Sequence, residues 1–382
     1  TVKQVQLSWP ARCHFPDGPR ETLYMQQIML ICRPGFETEA GQELTDQAAA
    51  AGIFGYFQPG KNTGLLRFTI GGNEPAEELM RRVALDSLVF TRDWFALLGD
   101  CELPASDRVG AILAFLNDQE WQGDRCARLE VRLSEINDDR DLGNFARKWV
   151  APLSKGLRGA GLLKDDQEAE APVRLEILLT DFSMAVVGYS LAGNRSPFVG
   201  GVPRLRLPAS APSRSALKLE EAWKVFLPKE RWLDYLGGGK KAVDLGAAPG
   251  GWTWQLVRQG MMVTAVDNGP MNPELMASGH VEHVEADGYA WRPKRAVDWM
   301  VCDIVDKPRR TARMAVDWMG EKLCRYTVFN LKLPMKKRYE EWLVCREILV
   351  QGLEDAGLHC QLKARHLYHD REEITCFIER LD

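Results

Sequence analysis

Asp244-Leu245-Gly246-Ala247-Ala248-Pro249-Gly250-Gly251-Trp252 decides the fold class of this chain. The residues before it, Lys241–Leu245, read as a short apolar and β-branched strand, and the glycines after it let the main chain turn sharply and open a helix. Without Cβ atoms in the way, backbone N–H groups there can approach a bound ligand closely. The dinucleotide fingerprint needs G-x-G-x-x-G to seat a pyrophosphate, and this loop is G-x-x-x-G-G. Pro249 removes one donor from the turn, which suits a ligand without phosphate. The plain alternative is a structural βα turn with no ligand.

Downstream, strands are predicted at Met262–Asp267, His280–Glu285, Asp298–Asp303 and Tyr326–Leu331, with helices between most of them. The chain closes with a helix over Lys336–Ala356 and strands Leu358–His366 and Glu373–Arg380. Successive crossovers ending in a hairpin imply an α/β, doubly wound, mostly parallel sheet with one antiparallel strand. This is the Rossmann-like architecture of class I methyltransferases, expected over residues 213–382. Upstream, strands Ile28–Arg33, Phe54–Gln58, Gly64–Ile70 and Ser87–Leu97 alternate with helices Glu37–Ala50 and Glu74–Ala84. Two β-α-β halves in that order predict a ferredoxin-like unit over 25–98. A second α/β unit over 99–192 has helices Asp107–Asn117 and Leu142–Gly159 and strands Ala127–Leu133, Val173–Thr180 and Met184–Ser190. Residues 193–212, rich in proline and glycine, read as a linker, and 1–24 as an N-terminal extension.

The bulk numbers narrow the function classes. A chain of 382 residues, 45% apolar and 27% charged, fits two or three soluble domains. No apolar run approaches the ~20 residues that span a bilayer, and the first residues lack a secretory core, so the expected address is cytoplasmic and no membrane partner is expected. Nine scattered cysteines without a C-x-x-C pair read as reduced thiols. His280/His283 and His366/His369 have no cysteines to complete a site, so no metal is expected. The net charge of −4 hides an asymmetry: residues 1–200 carry 21 Lys+Arg against 28 Asp+Glu, and residues 201–382 carry 28 against 25. Any nucleic-acid surface must then be a local patch.

Two aspartates complete the proposed ligand rim. Asp267 ends the second strand, where a carboxylate can accept both hydroxyls of an adenosine ribose. Asp287 follows the third strand, placed to meet the adenine amine. Each alone reads as a solvated strand end or a helix cap; with the loop, on one rim, they favour S-adenosylmethionine.

The segment after strand four distinguishes the reaction. It reads Val301-Cys302-Asp303-Ile304-Val305-Asp306-Lys307-Pro308, without the Asn/Asp-Pro-Pro-aromatic signature of amine methylation. Cys302 lies in an apolar strand and reads as packing rather than as the nucleophile of cytosine C5 chemistry. Asp303 and Lys332 end strands four and five, Glu373 begins the antiparallel strand on the same rim, and Lys218 lies in the helix before the first strand. A ribose hydroxyl must lose its proton to react. An ordinary lysine is protonated at neutral pH, and lowering its pKa by ~3 units requires roughly 4 kcal/mol from its neighbours. Lys218 is the expected second ammonium, with Asp303 and Glu373 orienting the amines. Each lysine alone reads as a surface residue.

The segments SRSALKLEEA, DLGAAPGGW, VDNGP, VCDIVDKP, NLKLPMKKRYEE and LYHDREE resemble the FtsJ-like ribose 2′-O-methyltransferases, and more closely the RlmM family. The resemblance runs over Met25–Asp382 and is most specific in the proline-containing loop and NLKLPMKKRYEE. It implies 2′-O-methylation of a cytidine ribose in 23S rRNA, as naked RNA or a large-subunit precursor, by a Lys-Asp-Lys-Glu tetrad at Lys218, Asp303, Lys332 and Glu373. Lys332 matches the proton acceptor. Cofactor contacts are implied at Ser215, Ala248, Pro249, Gly250, Gly251, Asp267, Asp287 and Asp303. It also implies a ferredoxin-like unit followed by a THUMP RNA-binding domain. Basic clusters Lys307, Arg309, Arg310, Arg313 and Lys336, Lys337, Arg338 flank the rim and are expected to hold phosphates, against a solvated-face alternative. Three other readings stay open: a silent RNA-binding assembly factor, a nicotinamide oxidoreductase, and methylation of an RNA base.

Overall fold

The computed structural model describes residues 26–58, 60, 62–121, 126–164 and 172–381. The expected extension over 1–24 lies outside the described residues. Two seven-stranded sheets organise the described residues. The first contains β1 (Gln27–Cys32), α1 (Glu37–Ala50), β2 (Gly55–Phe57), β3 (Leu65–Ile70), α2 (Ala76–Arg82) and β4 (Thr91–Glu102). It continues with α3 (Arg108–Asp118), β5 (Cys126–Leu133), α4 (Arg140–Gly159), β6 (Val173–Leu179) and β7 (Met184–Leu191). Its strand order is β2-β3-β1-β4-β7-β6-β5.

The first four strands stand in the ferredoxin-like order. The difference from expectation is β4, which runs on to Glu102 and crosses the boundary placed at 98–99. Its first part pairs β1 and its second part pairs β7, with a register shift between Leu97 and Gly99. Both N-terminal units therefore share one sheet. Residues Thr91–Leu98 are buried without interruption, so strict alternation cannot mark where this strand ends. Asp107 caps α3 by accepting from Gly110 N at 2.7 Å. α4 buries Leu142, Ala146, Trp149, Leu153 and Leu157, one stripe of a helix. The segment expected as a linker begins by docking on the first sheet. Asn194 Oδ1 accepts from Leu85 N at 2.6 Å, and its main-chain oxygen accepts from Trp94 Nε1 at 2.8 Å.

The second sheet is built from α5 (Ala216–Phe226), α6 (Trp232–Leu236), β8 (Lys241–Leu245), α7 (Gly251–Arg258), β9 (Met262–Val266), α8 (Pro273–Met276) and β10 (Val281–Val284). β11 (Val297–Cys302), α9 (Pro308–Gly320), β12 (Cys324–Lys332), α10 (Arg338–Asp355), β13 (Cys360–Arg365) and β14 (Glu373–Arg380) complete it. The order is β10-β9-β8-β11-β12-β14-β13, and β14 is the one strand that runs against the rest. Trp223, Trp299, Tyr326 and Phe377 pack as one aromatic layer between α5 and this sheet. α10 starts at Arg338 rather than Lys336, because Lys337 adopts a left-handed conformation at φ 57°.

The two halves meet at the β13–β14 connection. His366 leaves β13 and donates its N–H to Val89 O at 2.8 Å, while its ring lies 4.1 Å from that of Phe36. Arg365 donates to Thr91 O at 2.6 Å, and Tyr339 to Asp46 at 2.7 Å. No helix among the described residues is long and apolar enough to cross a membrane.

Candidate active site

The glycine turn follows β8 as its sequence requires. Gly246 and Gly250 have φ of 76° and 115°, values that favour glycine. A Cβ at Gly246 would overlap Ile304, and one at Gly251 would overlap the hydroxyls of Ser213 and Ser215. The main chain thus runs directly against Ser215, which also accepts from Trp252 Nε1 through its carbonyl at 3.0 Å. The Ala248–Pro249 peptide is cis. Ala248 N donates to Asp267 Oδ2 at 3.0 Å and Gly269 N to Asp267 Oδ1 at 2.7 Å. A carboxylate has about four lone-pair sites, so Asp267 keeps acceptor capacity for two hydroxyls. Asp287 is exposed and accepts from Tyr289 N at 2.9 Å. This donor and acceptor set fits an adenosine: free carboxylate lone pairs stand at the ends of adjacent strands, beside a turn with no side chains to obstruct it.

Behind the turn, Asp244 is fully buried and accepts from Thr253 Oγ1 at 2.6 Å. Burial pushes its carboxyl up to about 7. Cys302 is buried as well, and burial pushes its thiol up to about 12, so it is a packing group and not a thiolate.

Lys218, Asp303, Lys332 and Glu373 converge on the same rim. Antiparallel pairing of β12 with β14 sets Lys332 directly opposite Glu373, and Lys332 Nζ lies 3.2 Å from Glu373 Oε1. Lys332 is also 3.8 Å from Asp303. Lys218 reaches in from α5, 3.2 Å from Asp303 and in closer contact with Glu373. The Glu373 side chain is only 4% exposed. Burial opposes its charge, but the two ammonium groups outweigh burial and draw it down to about 2. Burial likewise opposes the charge on Lys218, and the carboxylates of Asp303 and Glu373 outweigh it, raising its pKa. Lys218 is therefore held as a cation between two anions. The electrostatic expectation from sequence, one ammonium depressing the other, is altered by the carboxylates that lie against both.

Residues absent from the sequence expectations support this cluster. Asn330, also on β12, donates through Nδ2 to Asp303 Oδ1 at 2.7 Å. Glu221, one turn after Lys218 on α5, accepts from Tyr368 N at 2.7 Å and His369 N at 2.9 Å. Both lie inside segments that resemble the family, but their roles were not legible there because their partners come from other elements.

The basic residues divide into two groups. Lys307, Arg309, Arg310 and Arg313, with Lys332, line an open cavity of about 630 Å³ beside the rim. Arg309 pairs with Glu341 at 2.6 Å, and Arg310 pairs with Asp306 at 2.6 Å while lying over the Tyr289 ring. Lys336 and Lys337 are exposed in the turn before α10. Arg338 stands apart: it bridges Glu372 at 2.8 Å and Glu39 at 3.2 Å, and covers the Phe36 ring. Its position joins the two halves of the molecule. Among the described residues no group of three or more His, Cys, Asp or Glu side chains is placed to hold a metal.

Comparison with known proteins gives three family matches. Residues 25–95 match the RlmM ferredoxin-like domain, 107–191 the N-terminal domain of ribosomal RNA large subunit methyltransferase M, and 211–330 the FtsJ-like methyltransferase. Ribosomal RNA large subunit methyltransferase M of Marinobacter nauticus is 77% identical over 94% of this chain and 100% of its own length. The chain belongs to the RlmM family. Its relative of the same name from Stutzerimonas stutzeri is 46% identical, again over 94% of this chain and 100% of its own. Among solved structures, TrmN from Thermus thermophilus is 12% identical with a TM-score of 0.35, over 93% of this chain and 100% of that one, too distant to bear on function. As an RlmM member with an FtsJ-like domain, the chain is a methyltransferase, and the glycine turn and the Lys-Asp-Lys-Glu cluster lie within its Rossmann-like half.

Proposed function

We propose that this RlmM member uses S-adenosylmethionine to methylate the 2′-hydroxyl of a cytidine ribose in 23S rRNA, presented as naked RNA or as a large-subunit precursor. The observation that carries this reading is the convergence of Lys218, Asp303, Lys332 and Glu373, with Lys332 opening into a cavity walled by arginine and lysine. The names of its relatives support ribosomal RNA of the large subunit as the substrate.

When bound, the cofactor supplies an electrophilic methyl group. Ser215, Ala248, Pro249, Gly250, Gly251, Asp267, Asp287 and Asp303 would hold it, the carboxylates of Asp267 and Asp287 accepting from its adenosine end. The remaining work belongs to the chain's own side chains. A hydroxyl attacks well only as its proton leaves, and the acceptor must be an amine that can give up its own proton first. Lys218 is held as a cation by two carboxylates and does not line the cavity where the hydroxyl would enter. Lys332 borders the cavity and takes the hydroxyl proton at Nζ, while Glu373 and Asp303 hold its amine in line. Lys307, Arg309, Arg310 and Arg313 hold the flanking phosphates, and Lys336 and Lys337 extend the same surface. Correct orientation alone is worth ~7–11 kcal/mol.

The test is labelled methyl transfer to 23S rRNA from cells lacking this protein, with wild type and Lys332→Ala in parallel and the product mapped by alkaline resistance. One resistant site, lost in the variant, is expected. Label in alkali-sensitive RNA moves the chemistry to a base. No label on naked RNA or precursors, despite cofactor binding, points to a silent assembly factor.

A further inference from the structure

Behind Asp303 lies a file of three side chains that the reaction does not touch. The β12–β14 register pairs Asn330 with Thr375 just as it pairs Lys332 with Glu373, so both pairs lie on one face of the sheet. Asn330 Nδ2 lies 2.7 Å from Asp303 Oδ1, and Asn330 Oδ1 lies 2.8 Å from Thr375 Oγ1. The Thr375 hydroxyl is in turn 3.0 and 2.9 Å from the two oxygens of Asp370. Asn330, Thr375 and Asp370 are each 0% exposed, so bulk solvent does not reach these groups.

Counting protons fixes the direction of the file. Asp303, flanked by two ammonium groups, is an acceptor, so the Asn330 group facing it is the amide NH₂. The Asn330 carbonyl therefore faces Thr375 and requires a proton from it. A hydroxyl has one proton to give. Thr375, having given it to Asn330, can only accept from Asp370, and an ionised carboxylate has nothing to donate. Asp370 Oδ2 accepts from Leu367 N at 3.0 Å, which leaves Oδ1 as the oxygen that carries the proton.

We infer that Asp370 is a neutral carboxylic acid in the folded chain and heads a one-way relay, Asp370 Oδ1–H to Thr375 to Asn330, whose amide fixes the orientation of Asp303. Its surroundings agree. Burial pushes Asp370 well above the usual carboxylate range; Glu373 on β14 and Glu221 on α5 push the same way, and Lys218 on α5 opposes them. A neutral acid also orients Asp303 without adding a third anion to the two that already share Lys218 and Lys332. Asp370, Thr375 and Asn330 are thus positioning residues. Their effect on rate rests on the proposed methyl transfer; the protonation of Asp370 does not.

Two measurements separate those parts. Infrared spectra of the full chain, with aspartate carboxyls carbon-13 labelled and pH above neutrality, should contain a neutral-acid carbonyl stretch that shifts with the label and is lost in Asp370→Asn. Identical spectra in that region for wild type and variant overturn the protonation. In methyl transfer, Thr375→Val and Asp370→Leu should lower kcat about tenfold with little change in cofactor KM, and Asp370→Asn, which still donates, should recover most of the rate. Asp370→Asn as slow as Asp370→Leu, with both folded by thermal melting, overturns the positioning role. A wild type with no methyl transfer refutes the proposed function, while the infrared comparison still decides the state of Asp370.

Discussion

Glu373→Gln isolates the electrostatics of the cluster, because it keeps the shape and removes one charge. Lys218 and Lys332 draw the Glu373 carboxyl from its ordinary 4.5 down to about 2. At about 1.4 kcal/mol per pH unit that difference corresponds to roughly 3 kcal/mol, and partial solvent screening trims it to about 2–3 kcal/mol. A lowered acid stabilises the fold above its unfolded pKa, and the gain disappears as pH falls through the folded value. The variant should therefore be less stable than wild type by about 2–3 kcal/mol at neutral pH, with the gap closing between about 4.5 and about 2. Urea unfolding of the full chain, followed by tryptophan fluorescence over that pH range, measures the gap directly. A variant as stable as wild type at neutral pH, or a gap that does not narrow with acid, refutes the account of Glu373 as the shared counter-ion. Loss of methyl transfer at neutral pH is expected alongside, since Lys332 would lose the partner opposite it in the sheet.

Gly251→Ala should weaken cofactor binding in calorimetry, because the new methyl must displace the Ser213 and Ser215 hydroxyls and crowds Ala216 N at the turn; unchanged affinity would remove the turn from the cofactor site. Lys336→Glu with Lys337→Glu should weaken RNA binding and flatten its salt dependence, as fewer counter-ions are released from phosphate; an unchanged slope would place RNA elsewhere. Asp244, raised by burial from 3.8 to about 7, holds its proton in the fold where the unfolded chain has lost it. Stability should fall as pH rises from about 4 to 7, by roughly 4 kcal/mol for this group, and Asp244→Asn should flatten that slope in urea titrations.

The Lys-Asp-Lys-Glu set was singled out by family resemblance, whereas the glycine turn and the aspartates after β9 and β10 were legible in the sequence for one reason. Each sits at or beside the end of a regular element, and in an alternating α/β chain those ends share a rim. The period of the strands was legible too, because burial on a sheet imposes it residue by residue, and so was the reversal at β14, because a short connection from β13 leaves room only for a hairpin. What the sequence left undetermined depends on which strands become neighbours. β4 joins the two N-terminal units only because its second half pairs with β7, far along the chain. Arg338 sits within a basic run, yet its partners Glu39 and Glu372 come from α1 and the β13–β14 connection. Asn330 and Asp370 lie inside family-like segments that give no hint of a shared role; register and burial bring them and Thr375 into line behind Asp303. Local pattern thus determined where the candidate site lies, and tertiary pairing decided which charges lie against one another there and how the N-terminal half grips the segment that delivers Glu373.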